Sequence, residues 1–165
     1  MNYESITTCD VANGEGFGVV LWVSGCDIHC PGCHNKETWD PNSGKEFTEN
    51  ELNLILKELN KQHITRFTIS GGHPLMPCNR DGVRMILQRI NQDYPHIEIW
   101  LYTGYIYENL DEECKYICNN LCDVIVDGPY IESERDISLP FRGSKNQRII
   151  RIRDRLYGEN SWFIF

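Results

Sequence analysis

The sequence predicts an α/β fold, an open, partial (β/α) barrel with a parallel sheet and helices outside it. Three observations carry this. Apolar runs of strand length alternate with segments whose apolar residues recur at helical spacing. The strand-like runs end in turns rich in Gly, Pro or Thr, such as Gly71-Gly72-His73-Pro74 and Thr103-Gly104. The alternation yields only four or five units, too few to close the eight-stranded TIM barrel. The reading is one domain over residues 1–165, with no repeat, low-complexity stretch or linker to divide it.

Residues 1–16 are polar and Gly-containing, a loop or an edge strand leading inward. Residues 17–24 form the first strand, whose run Val19-Val20-Leu21-Trp22-Val23 reads as buried. Residues 25–40 form a cysteine-bearing loop. Thr48 is placed to cap a helix, with Glu51 three residues on completing a capping box. Leu52, Ile55, Leu56 and Leu59 continue its apolar stripe to about Lys61. Phe67-Thr68-Ile69 is a second strand, running into Ser70-Gly71-Gly72-His73-Pro74, and Val83, Ile86, Leu87 and Ile90 mark a second helix. Residues 97–102 are a third strand ending at Thr103-Gly104, followed by a helix over about 107–121. Val124-Ile125-Val126 is a strand closed by Asp127-Gly128, and the tail from Arg148 to Arg153 and from Trp162 to Phe165 offers another strand or two.

Composition narrows the function. Over 165 residues, 41% apolar and 24% charged content is ordinary for a globular chain. A net charge of −8 and a pI near 5.1 argue against nucleic acid or an anionic membrane as the main partner. Met1-Asn2-Tyr3-Glu4 is not a secretory signal, and no apolar run approaches the ~20 residues of a membrane span. The eight cysteines are not spaced as a disulfide framework. A reducing cytoplasm is the expected location.

Cys26, Cys30 and Cys33, with three and then two residues between them, come directly after the first strand. That places them at the strand's C-terminal end, where ligands bind in sheets of βα units. Soft thiolates at this spacing select iron–sulfur clusters, zinc or copper(I). Only three thiols belong to the group, because none of Cys9, Cys78, Cys114, Cys118 and Cys122 completes a second close pair. A zinc site would need a fourth ligand, which His34 can supply. A [4Fe–4S] cluster on three thiolates instead leaves one iron open for chemistry.

With these residues the chain resembles the radical S-adenosylmethionine (radical SAM) superfamily, whose signature is this three-cysteine spacing. Within it the chain is most similar to the small branch of activating enzymes for the anaerobic ribonucleotide reductase. The matching pieces run in order along nearly the whole chain. They begin with Asp10, Asn13-Gly14, Gly16 and the cysteine loop through Asn35. Ser70-Gly71-Gly72, Pro74-Leu75, Trp100-Leu101 and Thr103-Gly104-Tyr105 follow, then Asp127-Gly128 and Arg142-Gly143-Ser144 with Asn146-Gln147-Arg148.

The resemblance implies a [4Fe–4S] cluster on Cys26, Cys30 and Cys33. It also implies S-adenosyl-L-methionine (SAM) held by Gly32, Cys33 and His34 and by Gly71, Gly72 and His73; Thr103 and Asp127, which end strands on the same predicted face, are further candidates to reach its ribose or methionine. Reductive cleavage of SAM would give a 5′-deoxyadenosyl radical that takes hydrogen from a glycine of the reductase large subunit, with an electron donor such as flavodoxin. The sequence departs from the family at His73, where an Asp or Glu is usual. A contact made through main-chain carbonyls would tolerate this, and His73→Asp would then keep activity or improve SAM binding. Activation of another glycyl-radical enzyme and a non-catalytic zinc or redox module remain alternatives.

Two features read either way. Cys114, Cys118 and Cys122 lie four apart on the expected helix, spanning about 12 Å. That is too long for one cluster and suits small apolar core residues. From Arg142 to Arg155 six of fourteen residues are basic, either a solvated face or a docking patch for an acidic partner or electron donor.

Overall fold

The computed structural model describes residues 1–153 and the backbone of 163–164. It is an α/β fold built on one open sheet, with eight strands and three α-helices among the described residues. In chain order the strands are β1 (Asn2–Asp10), β2 (Gly18–Val23), β3 (Lys45–Glu46), β4 (Arg66–Gly71), β5 (Glu98–Tyr102), β6 (Val124–Asp127), β7 (Arg148–Arg151) and β8 (Phe163–Ile164). The helices are α1 (Glu49–Leu59), α2 (Pro77–Asp93) and α3 (Glu112–Leu121). Across the sheet the order is β3-β1-β2-β4-β5-β6-β7-β8. Trp162 and Phe165, which belong to the predicted tail strand, lie outside the described residues.

The sheet is mixed, where the sequence predicts a parallel one. β2, β4, β5 and β6 are parallel, and β1, β3, β7 and β8 join antiparallel at the two sides. The reason lies in the connections. A parallel pair needs a crossover of a dozen or more residues, usually a helix. Residues 11–17 between β1 and β2 are too few, and the loop from β6 to β7 carries only the short turn Glu132–Glu134.

Strand alternation decides what each face covers. Val19, Leu21, Phe67, Ile69, Ile99, Leu101 and Ile125 share one core with the apolar stripes of all three helices. Trp100, Val124 and Val126 point the other way and pack with Tyr102 of β5, Ile149 of β7 and Phe141 of the loop between β6 and β7. The helices therefore cover one face and loops the other. Cys114 and Cys118 of α3, and Cys122 after it, are fully buried in the helix-side core. They are packing residues.

The α1 capping box forms as predicted: the Thr48 N–H donates to Glu51 at 2.8 Å and the Thr48 hydroxyl accepts from the Asn50 N–H. The helix expected over 107–121 is divided. Tyr107–Asn109 is a single 3-10 turn, and α3 starts only at Glu112 because the Asp111 carboxylate caps it by accepting the Cys114 N–H at 2.8 Å. No helix among the described residues is long and apolar enough to cross a membrane.

Candidate functional site

The four parallel strands end on one edge, and each hands its next residues to the same place. β2 leads to the cysteine loop, β4 to Gly72-His73, β5 to Thr103-Gly104 and β6 to Gly128. Together they line one cavity of about 440 Å³. Cys26, Cys30, Cys33, His34, Gly71, Gly72, His73 and Thr103 all lie on its wall. Trp22, Ser70 and Tyr102, which alternate away from the helix-side core, reach the wall from within β2, β4 and β5.

The cysteine loop is fixed at both ends. The Gly25 and Cys26 N–H groups donate to the Thr38 and Trp39 carbonyls at 2.7 and 3.0 Å. Within it, the Cys33 N–H donates to the Cys30 carbonyl at 3.1 Å, and the Cys33 thiol accepts the Asn35 N–H at 3.4 Å. The three thiols are free and half-buried. Burial pushes the Cys30 thiol up, and the neighbouring Cys26 and Cys33 sulfurs add to the shift. Gly32 is favoured by its positive φ of 76°; a Cβ there would meet only the carboxylate of exposed Glu132, the free end of a flexible side chain. His34 is exposed, its ring 5.6 Å from that of Tyr130.

Three half-buried thiols on one loop at the cavity wall are the soft donor set that a [4Fe–4S] cluster takes.

The Gly71-Gly72-His73 turn is strapped to the cysteine loop. The Gly72 N–H donates to the Val23 carbonyl at 2.7 Å and the His73 N–H to the Gly25 carbonyl at 2.6 Å. The buried Asn79 amide donates to the carbonyls of Ser24 and His73 at 2.9 and 3.0 Å. Gly71 has φ 103°, and a Cβ at Gly72 would lie 2.4 Å from the Gly25 carbonyl oxygen. No side chain fits where these two loops meet.

His73 is 1% exposed and both ring nitrogens are engaged. Burial holds its pKa below the usual histidine value in spite of Asp27. Burial would raise the Asp27 carboxyl, but hydrogen bonds from Tyr105 and His73 outweigh it and hold it low. A neutral ring beside an ionised carboxylate has one consistent tautomer. Nδ1–H donates to Asp27 at 2.7 Å, and Nε2 accepts the Thr103 hydroxyl at 2.9 Å. The Tyr105 hydroxyl donates to the other Asp27 oxygen, and its ring packs edge-on to His73 at 4.0 Å. Asp27 and Tyr105 were not singled out by the sequence. An acid directly after the first cysteine, with a His in the facing turn, was the available signal.

This geometry adds a stability cost to the expectation for His73→Asp. A second carboxylate would face Asp27 across a hydrogen-bond distance in a buried site, and repulsion and desolvation oppose both charges. We expect His73→Asp to lower stability by about 2–3 kcal/mol and Asp27→Asn to restore most of it in the double variant. Denaturant unfolding of the four proteins measures the coupling.

Asp127 does not line the cavity. It is 1% exposed, and its carboxylate accepts from Arg148 and from the Tyr107 N–H at 2.9 Å. Most of the basic run is likewise paired within the chain. Arg148 also pairs with Glu108, Arg151 with Glu98, and Arg153 with Asp123. Arg155 lies outside the described residues.

A family model described as a 4Fe-4S single cluster domain matches residues 12–150. An anaerobic ribonucleoside-triphosphate reductase-activating protein of Enterobacteria phage T4 is 40% identical over 151 residues, covering 90% of this chain and 93% of its own. Its namesake in Escherichia coli is 39% identical over 155 residues, 93% and 100% of the two chains. The Vibrio cholerae protein of that name is 39% identical over 153 residues, 92% and 98%. The chain belongs to the anaerobic ribonucleoside-triphosphate reductase-activating proteins. The 4Fe-4S match begins at Ala12 and ends at Ile150, so it contains the cysteine loop, the Gly-Gly turn and every residue placed on the cavity wall above.

Proposed function

We propose that this chain activates an anaerobic ribonucleoside-triphosphate reductase as a radical SAM enzyme. On this reading it is one domain, cytoplasmic, with the open sheet serving as the partial barrel of that superfamily. What supports the reading is that the three-thiol loop, the Gly-Gly turn and Thr103 meet at one cavity on the C-terminal edge of four parallel strands.

Cys26, Cys30 and Cys33 would hold a [4Fe–4S] cluster. When bound, it supplies the one electron that splits SAM into methionine and the 5′-deoxyadenosyl radical that takes hydrogen from a glycine of the reductase. An external donor such as flavodoxin provides that electron. The chain's own part is position and exclusion. Gly71 and Gly72 bring side-chain-free backbone to the cavity, fixed to the cysteine loop by the hydrogen bonds already described. His73 contributes through its main chain, since its ring is committed to Asp27 and Thr103. Trp22, Ile28, Trp39, Tyr130, Leu139 and Phe141 wall the cavity and limit the water that reaches a radical. Cys33 and His34 line the cavity, and the adenine is proposed to lie beside them and the backbone of Gly32.

The test is anaerobic mixing of the iron-reconstituted chain with a reductant, SAM and the large subunit of the reductase. Electron paramagnetic resonance should show a glycyl radical that requires SAM and does not form on another glycyl-radical enzyme. A radical on the other enzyme alone would move the assignment to that partner.

A further inference from the structure

We infer that Arg142, with the Tyr130 hydroxyl, is the seat of a carboxylate inside the cavity. Resting on the function proposed above, that carboxylate belongs to the methionine end of SAM. Nothing in the sequence motifs or the relatives' names assigns a ligand to either residue.

Buried polar atoms in a folded protein are nearly always paired, and an orphan costs about 1–3 kcal/mol. Among the described residues Trp39 Nε1, Tyr130 OH and Arg142 Nε are buried without a partner. All three residues line the same cavity. All three atoms carry a hydrogen. A cavity that gathers orphaned donors on its wall is built for a ligand rich in acceptors, and the guanidinium makes that ligand an anion.

The rest of the basic run sharpens the point. Lys145, Arg148, Arg151 and Arg153 each face an acid of this chain. Arg142 has no ion-pair partner among the described residues, although the chain has 24 acidic residues against 16 basic ones. One planar guanidinium matches one carboxylate in geometry and charge. A phosphate would bring more negative charge than this cation offsets.

The backbone that carries Arg142 is held firmly on both sides. The Phe141 carbonyl accepts the Tyr102 hydroxyl at 2.7 Å, and its ring packs edge-on to Trp100 at 5.4 Å. Phe141 has a φ of 56°, a left-handed conformation costly for an aromatic residue. On the other side, the Gly143 N–H donates to the Gln147 side chain at 2.9 Å. Gly143 also abuts the Tyr130 ring, where an added Cβ would lie 3.1 Å away. Strain at Phe141 and close packing at Gly143 set the direction of the residue between them.

The experiment compares SAM with decarboxylated SAM, which lacks only the carboxylate. Binding to the iron-reconstituted chain is measured by anaerobic equilibrium dialysis with labelled ligands, for the natural sequence and for Arg142→Gln, Arg142→Lys and Tyr130→Phe. Arg142→Gln should weaken SAM about 10- to 100-fold and leave decarboxylated SAM within about two-fold. Arg142→Lys should fall between, and Tyr130→Phe should cost about three- to ten-fold for SAM alone. Equal losses for both ligands, or no change for SAM, overturn the inference. So does a variant that binds SAM normally and loses only the reductase. Should Arg142→Gln fail to fold or to retain iron, the Arg142→Lys and Tyr130→Phe comparison decides on the same criterion. A natural chain that binds no SAM at all would overturn the proposed function instead.

Discussion

Replacing any one of Cys26, Cys30 and Cys33 with Ala is expected to abolish SAM cleavage and leave a folded chain. The two halves of this expectation have separate causes. The thiols are half-buried on a loop, outside the helix-side core, so removing one sulfur takes little apolar surface out of the fold. The loop keeps its shape through backbone bonds from Gly25, Cys26 and Cys33 that an Ala side chain does not touch. A cluster left with two thiolates, by contrast, loses an anchor that no other nearby cysteine replaces. Release of 5′-deoxyadenosine, measured by chromatography beside circular dichroism, checks both halves. Cleavage retained by one variant would remove that cysteine from the ligand set. Cys118→Ala is the control: it should cost about 1 kcal/mol of stability through its small core cavity and leave iron content unchanged, since Cys118 is fully buried in the core.

Arg66→Met is expected to lower stability by about 3–5 kcal/mol. Arg66 is fully buried and ties the segment before β2 to the sheet. Its guanidinium donates to the carbonyls of Asp10 and Glu15 at 2.9 and 3.1 Å, to the Asp10 carboxylate at 2.9 Å, and to the Asn13 carbonyl and the Thr68 hydroxyl. Burial would raise the Asp10 carboxyl, but bonds from Arg66 and Asn13 outweigh it and keep it low. Met fills the space and satisfies none of these acceptors, so an unpaired carboxylate stays behind. Gly14 and Gly18 are shaped to this side chain, for a Cβ at either would stand 2.6 Å from it. At about 2–4 °C per kcal/mol for a chain of this size, Tm should fall by roughly 6–20 °C. Ala12 and Asn13 line the cavity, so SAM affinity should fall as well. A Tm within a degree or two of the natural chain would mean that the network contributes nothing net.

Much of this was legible in the sequence because it depends on local pattern. The buried strands, the α1 capping box and the strand-end position of the cysteines follow from periodicity and spacing. What the sequence did not disclose depends on contacts between distant segments. The antiparallel outer strands follow from connection lengths and return paths. Arg66 reads as one more charged residue until Asp10, Asn13 and Glu15 are seen folded around it. The same holds for Asp127, a strand-end candidate for SAM until Arg148, 21 residues later, is seen to take its carboxylate. His73 was visible as a departure from the family pattern, but its meaning required Asp27, 46 residues away.

The central claim is that three thiolates hold a four-iron cluster with one iron left for SAM. Mössbauer spectroscopy of the chain reconstituted with isotopically enriched iron, recorded with and without SAM, addresses it most directly. The account predicts a [4Fe–4S] signal in which one iron of the four changes its coordination when SAM is added. A spectrum unaltered by SAM, or anaerobically prepared protein that carries zinc in place of iron, would contradict it.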